Sequence, residues 1–501
     1  RGLARVDGRW IGAGETGERF LSDDHPYAAD LDLFGRGSLF ELLCTARTLP
    51  GADLLARWLL APAAAAEVRA RQSAVRELAP RLDLREDLAV LGEDVRAEVH
   101  AERLPAWAEA PRALSSALAV PAAALAAAAV SALVLWFAGV VHGLAFAAAV
   151  LAEWAVLRAV RGRVESVLGG VERPGHELAV LAELLARLER EGFEDPRLVG
   201  LRAALVGDVR ASRTIRHLSK LVERAGWAQN QLFAPIAFLL LWKLQAALAI
   251  ERWRAAHGRE VRAWIAAAAE LEALAALAGH AFLHPDDPFP EIADAGALYE
   301  AEAVGHPLLP AARCVRNDVR LGPEARLLVV SGSNMSGKST LLRTVGANAA
   351  LALAGGPVRA RRLRLSSLQP GATLRIQDSL AEGRSRFWAE ITRLRQLMDL
   401  AAGPMPVLFL LDELLAGTNS RDRRAGAEAV LRALLARGAI GMVTTHDLAL
   451  SELAAALGTA ANAHFEDEVH GSEVVFDYRL RPGVVTRSNA LALMRAVGLE
   501  V

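Results

Sequence analysis

One stretch of this chain restricts its fold more than any other, the run VVSGSNMSGKST from Val329 to Thr340, where an apolar strand passes through a glycine loop into a helix. It matches G-x-x-x-x-G-K-[ST], in which backbone N–H groups surround phosphates, the lysine neutralises the outer phosphates and the hydroxyl binds Mg²⁺. A glycine turn that imitates the pattern is the alternative, and the flanking strand and helix disfavour it. The pattern predicts a site for a nucleoside triphosphate, formed by Gly332, Asn334, Gly337, Lys338, Ser339 and Thr340.

Two carboxylates follow another apolar strand, Leu408–Leu411, at the position where α/β sheets present ligand-binding groups. Asp412 is predicted to hold Mg²⁺ with Ser339, and Glu413 to polarise the attacking water. A strand that ends in a solvated acidic turn is the alternative. His446, in the motif TTHD, is a candidate to hydrogen-bond the γ-phosphate or the water, although a single histidine is more often structural. The catalytic candidates are therefore Lys338, Glu413 and His446.

Two polar loops supply further candidates. Asn419 lies in the loop Gly417–Asp422, just past the carboxylates, which suits either contact with a second nucleotide site or an ordinary helix N-cap. Ser385 lies in the loop Glu382–Phe387, where its hydroxyl and the amides that begin the next helix suit phosphate binding.

The pattern of apolar residues changes at about residue 301. From there on, short apolar runs alternate with helical patterns, which is typical of an α/β nucleotide-binding sheet. The predicted strands include Arg326–Val330, Val407–Leu411 and Ile440–Thr444. Before this point, apolar spacings of three and four predict long amphipathic helices. These helical segments are 52–103, 158–228 and 251–279. The prolines and acidic pair between His284 and Pro290 mark the boundary.

A run of 40 residues from Ala113 to Ala152 contains no charged side chain. At about 1.5 Å per helical residue, it is long enough to cross a hydrocarbon core of roughly 30 Å twice. It therefore predicts a transmembrane helical hairpin over 113–157, with its turn at Gly139, His142 and Gly143. Arginines flank both ends of the run, so both ends and the ATPase are expected to be cytoplasmic. A pair of alanine-rich helices buried in a soluble core is the alternative.

A second apolar stretch, Leu232–Ile250, is interrupted by Pro235, Lys243 and Gln245. Because an unpaired ammonium group is costly in a bilayer, we predict a buried core helix, with a membrane segment as the alternative.

The overall composition gives little guidance about partners. The net charge of −1 provides no global attraction for nucleic acid, and two cysteines, Cys44 and Cys314, are typical of a reducing compartment. Two basic patches suit phosphate contact but are more simply exposed surface. They are the run 358–364 and the set Arg210, Arg213, Arg216 and Lys220. The chain begins at Arg1 without a methionine, so we expect it to be truncated, and an upstream targeting or membrane segment stays open.

Four motifs occur in the order and spacing of one known family. The motifs SGSNMSGKST, EGRSRFWAEI, LLDELLAGTNSRD and TTHD together resemble the ATPase domain of the MutS mismatch-repair family. The resemblance extends back to HPLLP, CVRND and the segment from residue 33, and forward to FDYRLRPG. It implies a dimeric ABC-type ATPase that uses ATP and Mg²⁺, in which Cys314 and Val315 bracket adenine. It also implies that Ser385 of one subunit reaches the γ-phosphate bound by Lys338 of the other, and that helices transmit closure to DNA.

The chain also departs from that family. We find no match to the mismatch-reading domain, and the apolar hairpin stands where a charged DNA clamp is expected. The sequence DELLAGTNS replaces a glycine-rich DEIGRGTS, and Ser488-Asn489 replaces a late Ser-Tyr-Gly. The chain therefore resembles a membrane-associated branch of the family.

These observations predict an α/β P-loop (ABC-type) ATPase domain, preceded by a mainly α-helical core and lever domain that carries the transmembrane hairpin. The expected domains are 1–112 and 158–300 (helical core and lever), 113–157 (hairpin) and 301–501 (ATPase). The predicted function is that of an ATP-hydrolysing homodimer that binds mismatched or branched DNA. The alternative is a membrane-anchored switch that acts on a membrane partner without DNA. The motor subunit of a transporter is disfavoured, because Gly-Arg-Ser-Arg stands where such a subunit has serine-glycine-glycine-glutamine.

Overall fold

The computed structural model describes residue 5 and residues 8–90, 103–170, 175–375, 386–415, 418–446, 450–452, 457–470 and 473–485. It contains two compact units, and each is discontinuous in sequence. The sheet unit consists of Arg1–Thr45, Leu55–Pro80 and Leu274–Val501, and the helical unit of Ala46–Leu54 and Arg81–Ala273. Residues near the N-terminus therefore belong to the same unit as the sheets, and the four consecutive segments expected from the sequence stay a prediction.

Helices make up the described chain before the first strand. They are α1 Leu39–Leu43, α2 Leu49–Leu60, α3 Ala65–Leu78, α4 Leu82–Val90, α5 Arg103–Glu109, α6 Ala119–Phe137, α7 Gly143–Gly169, α8 Gly175–Arg190, α9 Pro196–Val206, α10 Ala211–Gly226, α11 Ala234–Leu239, α12 Trp242–His257 and α13 Val261–Leu283. Helices occupy most of the described parts of 52–103 and 158–228, as predicted, and prolines and glycines divide each range into several of them. For example, α9 begins at Pro196, where Asp195 caps it by accepting from the N–H groups of Arg197 and Leu198.

The single buried helix predicted over 232–250 is wrong. Helix α11 ends at Leu239, and Leu241 has a left-handed φ of 48°, so the chain turns before α12 begins. The first half is exposed, with Leu232 at 89%. The second half is buried through Leu244, Leu248 and Ile250. The apolar pattern of this segment could not predict the break, because leucine rarely adopts a left-handed conformation.

Helices α6 and α7 pack against each other and are joined by residues 138–142, with Gly139 at φ 73°. By length and composition, Ser116–Phe137, Gly143–Gly169 and Val261–Leu283 are each able to cross a membrane. Only 17% and 11% of the apolar windows in the first two are buried inside the chain, against 72% in the third. Most of the apolar surface of α6 and α7 is therefore exposed in the described part of the chain, and the hairpin and its soluble alternative both stay predictions.

The sheet unit contains a six-stranded and a four-stranded sheet. Their orders are β10-β9-β4-β8-β7-β6 and β1-β5-β2-β3. The strands are β1 Glu291–Ala293, β2 Tyr299–Val304, β3 Asn317–Leu321, β4 Leu327–Ser331, β5 Arg362–Ser366, β6 Gln369–Thr373, β7 Val407–Leu411, β8 Ile440–Thr445, β9 Ala460–His470 and β10 Glu473–Pro482. The helices that follow β4 are α14 Lys338–Ala354, α15 Arg386–Leu400 and α16 Ser420–Ala436.

The larger sheet positions the candidate site. Strands β6, β7, β8, β4 and β9 run parallel, and only β10 is antiparallel to its neighbour. One face packs on α15 and α16 through Leu397, Phe409 and Leu431, which are fully buried. The strand predicted at Val407–Leu411 is confirmed, β4 is shifted by one residue at both ends from its predicted range, and β8 ends one residue later than predicted. The carboxyl ends of β4, β7 and β8 therefore meet at one edge.

An N-terminal segment of the sheet unit is tied to this sheet by what we call the Asp30 clasp. The buried Asp30 carboxylate accepts from the N–H groups of Leu374 and Arg375, each at 2.7 Å, directly after β6. Arg393 lies 3.5 Å from Asp30, and the neighbouring Asp32 pairs with Arg375 at 2.8 Å. Burial raises the pKa of Asp30, while these N–H groups and the charges of Arg393 and Arg343 lower it in part. The clasp joins parts of the chain that are far apart in sequence.

His306 gives the sheet unit a pH-dependent stability. Burial lowers its pKa from 6.5 to about 4, and its Nδ1 accepts from the Leu308 N–H at 3.2 Å. Because the folded pKa lies below the unfolded one, this stabilisation is present above about pH 6.5 and is lost as the pH falls through the folded pKa.

We expect the free energy of unfolding to fall by about 2–3 kcal/mol more in the wild type than in His306→Asn between about pH 7 and pH 4. The asparagine keeps an acceptor but does not titrate. Denaturant unfolding at both pH values measures the difference, and parallel pH profiles of the two proteins would contradict it.

Candidate functional site

The glycine loop lies between β4 and α14 and requires its glycines. Gly332 has φ 150° and Gly337 has φ 102°, conformations that a side chain disfavours. A Cβ at Gly332 would lie 2.9 Å from the Ser336 hydroxyl, and one at Gly337 would lie 3.1 Å from the Tyr478 ring. The loop therefore packs closely against Ser336 and Tyr478, so a side chain at either glycine would be strained.

Lys338 begins α14 and is buried beneath the loop. Its Nζ donates to the carbonyl oxygens of Gly332 at 2.9 Å and Ser333 at 2.7 Å. Burial lowers the pKa of Lys338, and the charges of Glu413 and Asp412 raise it in part. The buried hydroxyls of Ser333 and Ser336 have no hydrogen-bond partner. A cation and unpartnered hydroxyls in one cradle fit the oxygens of a phosphate chain.

The carboxylates stand at the end of β7, beside the end of β8. Thr444 donates its hydroxyl hydrogen to Asp412 in a short contact and accepts from the Glu413 N–H at 3.1 Å. His446 Nδ1 lies 3.5 Å from a Glu413 carboxylate oxygen. Glu413 has φ 49°, an unusual conformation for glutamate that is typical of functional sites. Sequence reasoning did not assign Thr444 a role, although it lies in the motif TTHD.

The other sequence candidates have different outcomes. Asn419 caps α16, because its side chain accepts from the Asp422 N–H at 2.9 Å, so the N-cap alternative describes its contacts. Ser385 and Gly417 lie outside the described residues. The arginines of the run 358–364 pair with acidic residues, as in Arg361 with Glu302 at 2.9 Å. Arg213, Arg216 and Lys220 are exposed on α10.

An aromatic residue that sequence reasoning missed lies against the glycine loop. Tyr478 has φ 54° at an irregularity in the β9–β10 pairing, and it is 44% exposed. Asn317 donates to the Tyr478 carbonyl oxygen at 3.0 Å and accepts from the Leu480 N–H at 2.7 Å. Cys314 and Val315 come just before Asn317, and Val315 is exposed. Tyr478 is therefore linked to the predicted adenine residues and to the loop.

The C-terminal part of the chain, residues 328–500, matches the family model of MutS domain V. This part of the chain belongs to the MutS family. A stretch of 205 residues is also 36% identical to Endonuclease MutS2 of Thermus thermophilus. The aligned stretch covers 41% of this chain and 27% of that protein, so the chain spans about a quarter of the relative's length. The family resemblance seen in the motifs is confirmed, and the membrane-associated branch stays a prediction.

A metal ion in this MutS domain would need few protein ligands. No group of three or more His, Cys, Asp or Glu side chains converges on a metal position in the part of the chain that the structure describes. Mg²⁺ is commonly held by one or two carboxylates together with substrate phosphates and waters. Ser339 and Asp412 suit that mode, because Ser339 lies in the first turn of α14 and Asp412 directly follows β7, at the same edge of the sheet.

Proposed function

We propose that this chain is a MutS-type ATPase that hydrolyses ATP at the carboxyl edge of the larger sheet. One observation carries this proposal: Lys338, two unpartnered serine hydroxyls and the Asp412–Glu413–His446 group belong to one edge. The lysine cation, the serine hydroxyls and the loop amides are suited to binding phosphates. A glutamate beside a histidine is suited to activating the attacking water. Phosphoryl transfer needs mainly this positioning and charge stabilisation.

Each residue has one role in the proposed reaction. Lys338 and the loop amides bind the β- and γ-phosphates, and Ser339 and Asp412 hold Mg²⁺, which neutralises phosphate charge when bound. Glu413 accepts the proton of the attacking water, and His446 orients the glutamate. Thr444 fixes both carboxylate residues through its hydroxyl. Asn419 is kept as a candidate for contact with a second nucleotide site, in addition to its cap.

The dimer and the DNA are proposed from the family resemblance. In a composite site, Ser385 of one subunit would approach the γ-phosphate bound by Lys338 of the other. The relative's name, Endonuclease MutS2, describes that protein as an endonuclease, and this chain matches about a quarter of it. We propose duplex binding with a preference for mismatched or branched DNA, through contacts that salt weakens.

The test is the ATPase rate of purified protein with no DNA, homoduplex, mismatched and branched DNA, at low and physiological salt. We expect specific activity to rise with protein concentration and to be stimulated by DNA, with a stimulation that fades as salt increases. A rate independent of protein concentration would contradict the composite dimer. If no DNA changes the hydrolysis rate at either salt concentration, the proposed DNA function is contradicted, while the proposed ATPase activity is not.

Tyr478 provides a test of the adenine position. We expect Tyr478→Ala to raise the Kd for ATP by about tenfold, because an aromatic ring that stacks on a base contributes about 1–3 kcal/mol. Tyr478→Phe should keep the affinity, since the ring and not the hydroxyl is required. Calorimetric titration of ATP and of inorganic triphosphate compares the two variants. An equal loss for triphosphate would place the effect on the loop rather than on the base.

A second candidate function is favoured by the exposed helices α6 and α7. Phe137 is 80% exposed, and Val134, Val140 and Leu151 are each more than half exposed. An exposed surface of this extent, without a charged residue from Ala113 to Ala152, suits the hydrocarbon of a bilayer. We therefore propose that the hairpin 113–157 anchors the protein in a membrane with its ATPase in the cytoplasm, where it acts as a switch on a membrane partner.

A further inference from the structure

A cavity of about 370 Å³ lies in the helical unit where the chain enters the apolar hairpin. It opens between the end of α12 and the turn Ser116–Leu118 that precedes α6. An adjoining cavity of about 530 Å³ shares Arg112, Glu251, Ala255 and Ala256 with it. We call the first one the hairpin-base cavity.

The lining of the hairpin-base cavity is divided between charge and apolar surface. Arg112 and Arg252 supply two guanidinium groups, and Leu114, Leu248 and two alanines supply the apolar wall. Arg112 is the last charged residue before the uncharged run. A cavity of this kind suits a ligand that has an anionic group joined to an apolar one.

The acidic residue of the cavity is paired through one of its two carboxylate oxygens, and the other, Oε2 of Glu251, is buried without a hydrogen-bond partner in the part of the chain that the structure describes. One oxygen of the buried Glu251 accepts from Arg254 at 2.8 Å and from the Ala113 N–H at 3.1 Å. Arg254 also donates to the Ala110 carbonyl oxygen at 2.8 Å, so this pair fixes the chain at the base of the hairpin. Within the described ranges, no carboxylate pairs with Arg112 or Arg252, and the only hydrogen bond of the Arg252 side chain is a long one to the Leu248 carbonyl oxygen. Two guanidinium groups are thus available to an outside anion.

We infer that the hairpin-base cavity binds the phosphate of an anionic phospholipid head group. Arginine is suited to phosphate because its planar fork donates two parallel hydrogen bonds. Free phosphate esters share this chemistry, but they would leave the apolar wall unused. The inference rests on the proposed anchoring of the hairpin, since the cavity then lies at the level of the head groups, where Ser116 begins the first candidate span.

The test is binding of the full chain, labelled and diluted from detergent, to phosphatidylcholine vesicles with and without phosphatidylglycerol. We expect binding to both kinds of vesicle and tighter binding to the anionic one. Arg112→Gln/Arg252→Gln should lose about 100-fold in affinity for the anionic vesicles, because two charge-assisted hydrogen-bonding groups are removed. The matched control is Arg158→Gln/Arg163→Gln, which removes two exposed arginines of α7 outside the cavity and should lose about tenfold or less.

Raising the salt separates the site from diffuse attraction. High salt screens the exposed arginines, so the control should then match the wild type while the cavity variant stays weaker. Arg112→Lys should be intermediate, since it keeps the charge but not the fork. Equal losses of affinity in the two double variants would contradict the lipid site but not the membrane anchor. Failure to bind any vesicle would overturn both the membrane anchor and the lipid site. If added glycerol phosphate abolishes the preference for anionic vesicles, the cavity binds free phosphate esters instead.

Discussion

Replacing Glu413 with glutamine is expected to lower the ATP turnover rate by about 10²–10⁴-fold while the protein still binds ATP. The amide has the size of the carboxylate but cannot accept a proton from the attacking water. The backbone contact of residue 413 with Thr444 is unaffected, because it uses the main-chain N–H. Turnover measured at saturating ATP, together with the Kd for ATP, separates chemistry from binding.

The control for this variant is Glu428→Gln, which replaces a part-exposed carboxylate of α16 that pairs with Arg432 at 2.8 Å. It should keep the wild-type rate. If Glu413→Gln hydrolyses ATP at the wild-type rate, Glu413 is not the proton acceptor, and His446 becomes the residue to test.

Replacing Asp30 with alanine is expected to lower the free energy of unfolding of the sheet unit by about 3–5 kcal/mol. Two backbone N–H groups after β6 would lose their acceptor, and Arg393 would lose its buried partner. Denaturant unfolding measures the change. Asp30→Asn keeps an acceptor and should lose clearly less than the alanine variant.

A matched control and a functional readout accompany this prediction. Asp399→Ala removes an exposed carboxylate of α15 and should change stability by less than about 0.5 kcal/mol. The Asp412 N–H donates to the Thr373 carbonyl oxygen at 3.0 Å, one residue before the clasp. Loosening the clasp should therefore also raise the requirement for Mg²⁺ in hydrolysis. Equal stability of Asp30→Ala and Asp399→Ala would contradict the clasp.

The local parts of the site could be predicted from sequence. The glycine loop, Lys338 and the Asp412–Glu413 pair follow apolar strands directly, so their positions at the ends of β4 and β7 result from chain order and sheet geometry. The boundary before β1 could be predicted for a similar reason, because prolines exclude a helix between residues 284 and 290.

The long-range parts could not be predicted. Tyr478 reaches Gly337 because of an irregularity in β10, and Asp30 reaches β6 across most of the chain. Neither residue carries a local pattern that names its partner. The break at Leu241 results from tertiary context, which overrides the helical periodicity of the neighbouring residues. Asn419 lies in a family motif, and yet its described contacts are those of a helix cap.

The discontinuous sheet unit has a consequence for the order in which the chain folds. The hydrogen bond from Leu374 to Asp30 spans 344 residues, so the N-terminal segment is synthesised long before its partner strand exists. The helical unit is contained mainly in Arg81–Ala273 and is complete first. Domains fold as units during synthesis, and pairing of distant residues is slow. The leucines at 31, 33 and 39, which are buried in the folded protein, therefore stay exposed on the nascent chain until β6 has been synthesised. We expect chaperones to bind this segment during that time.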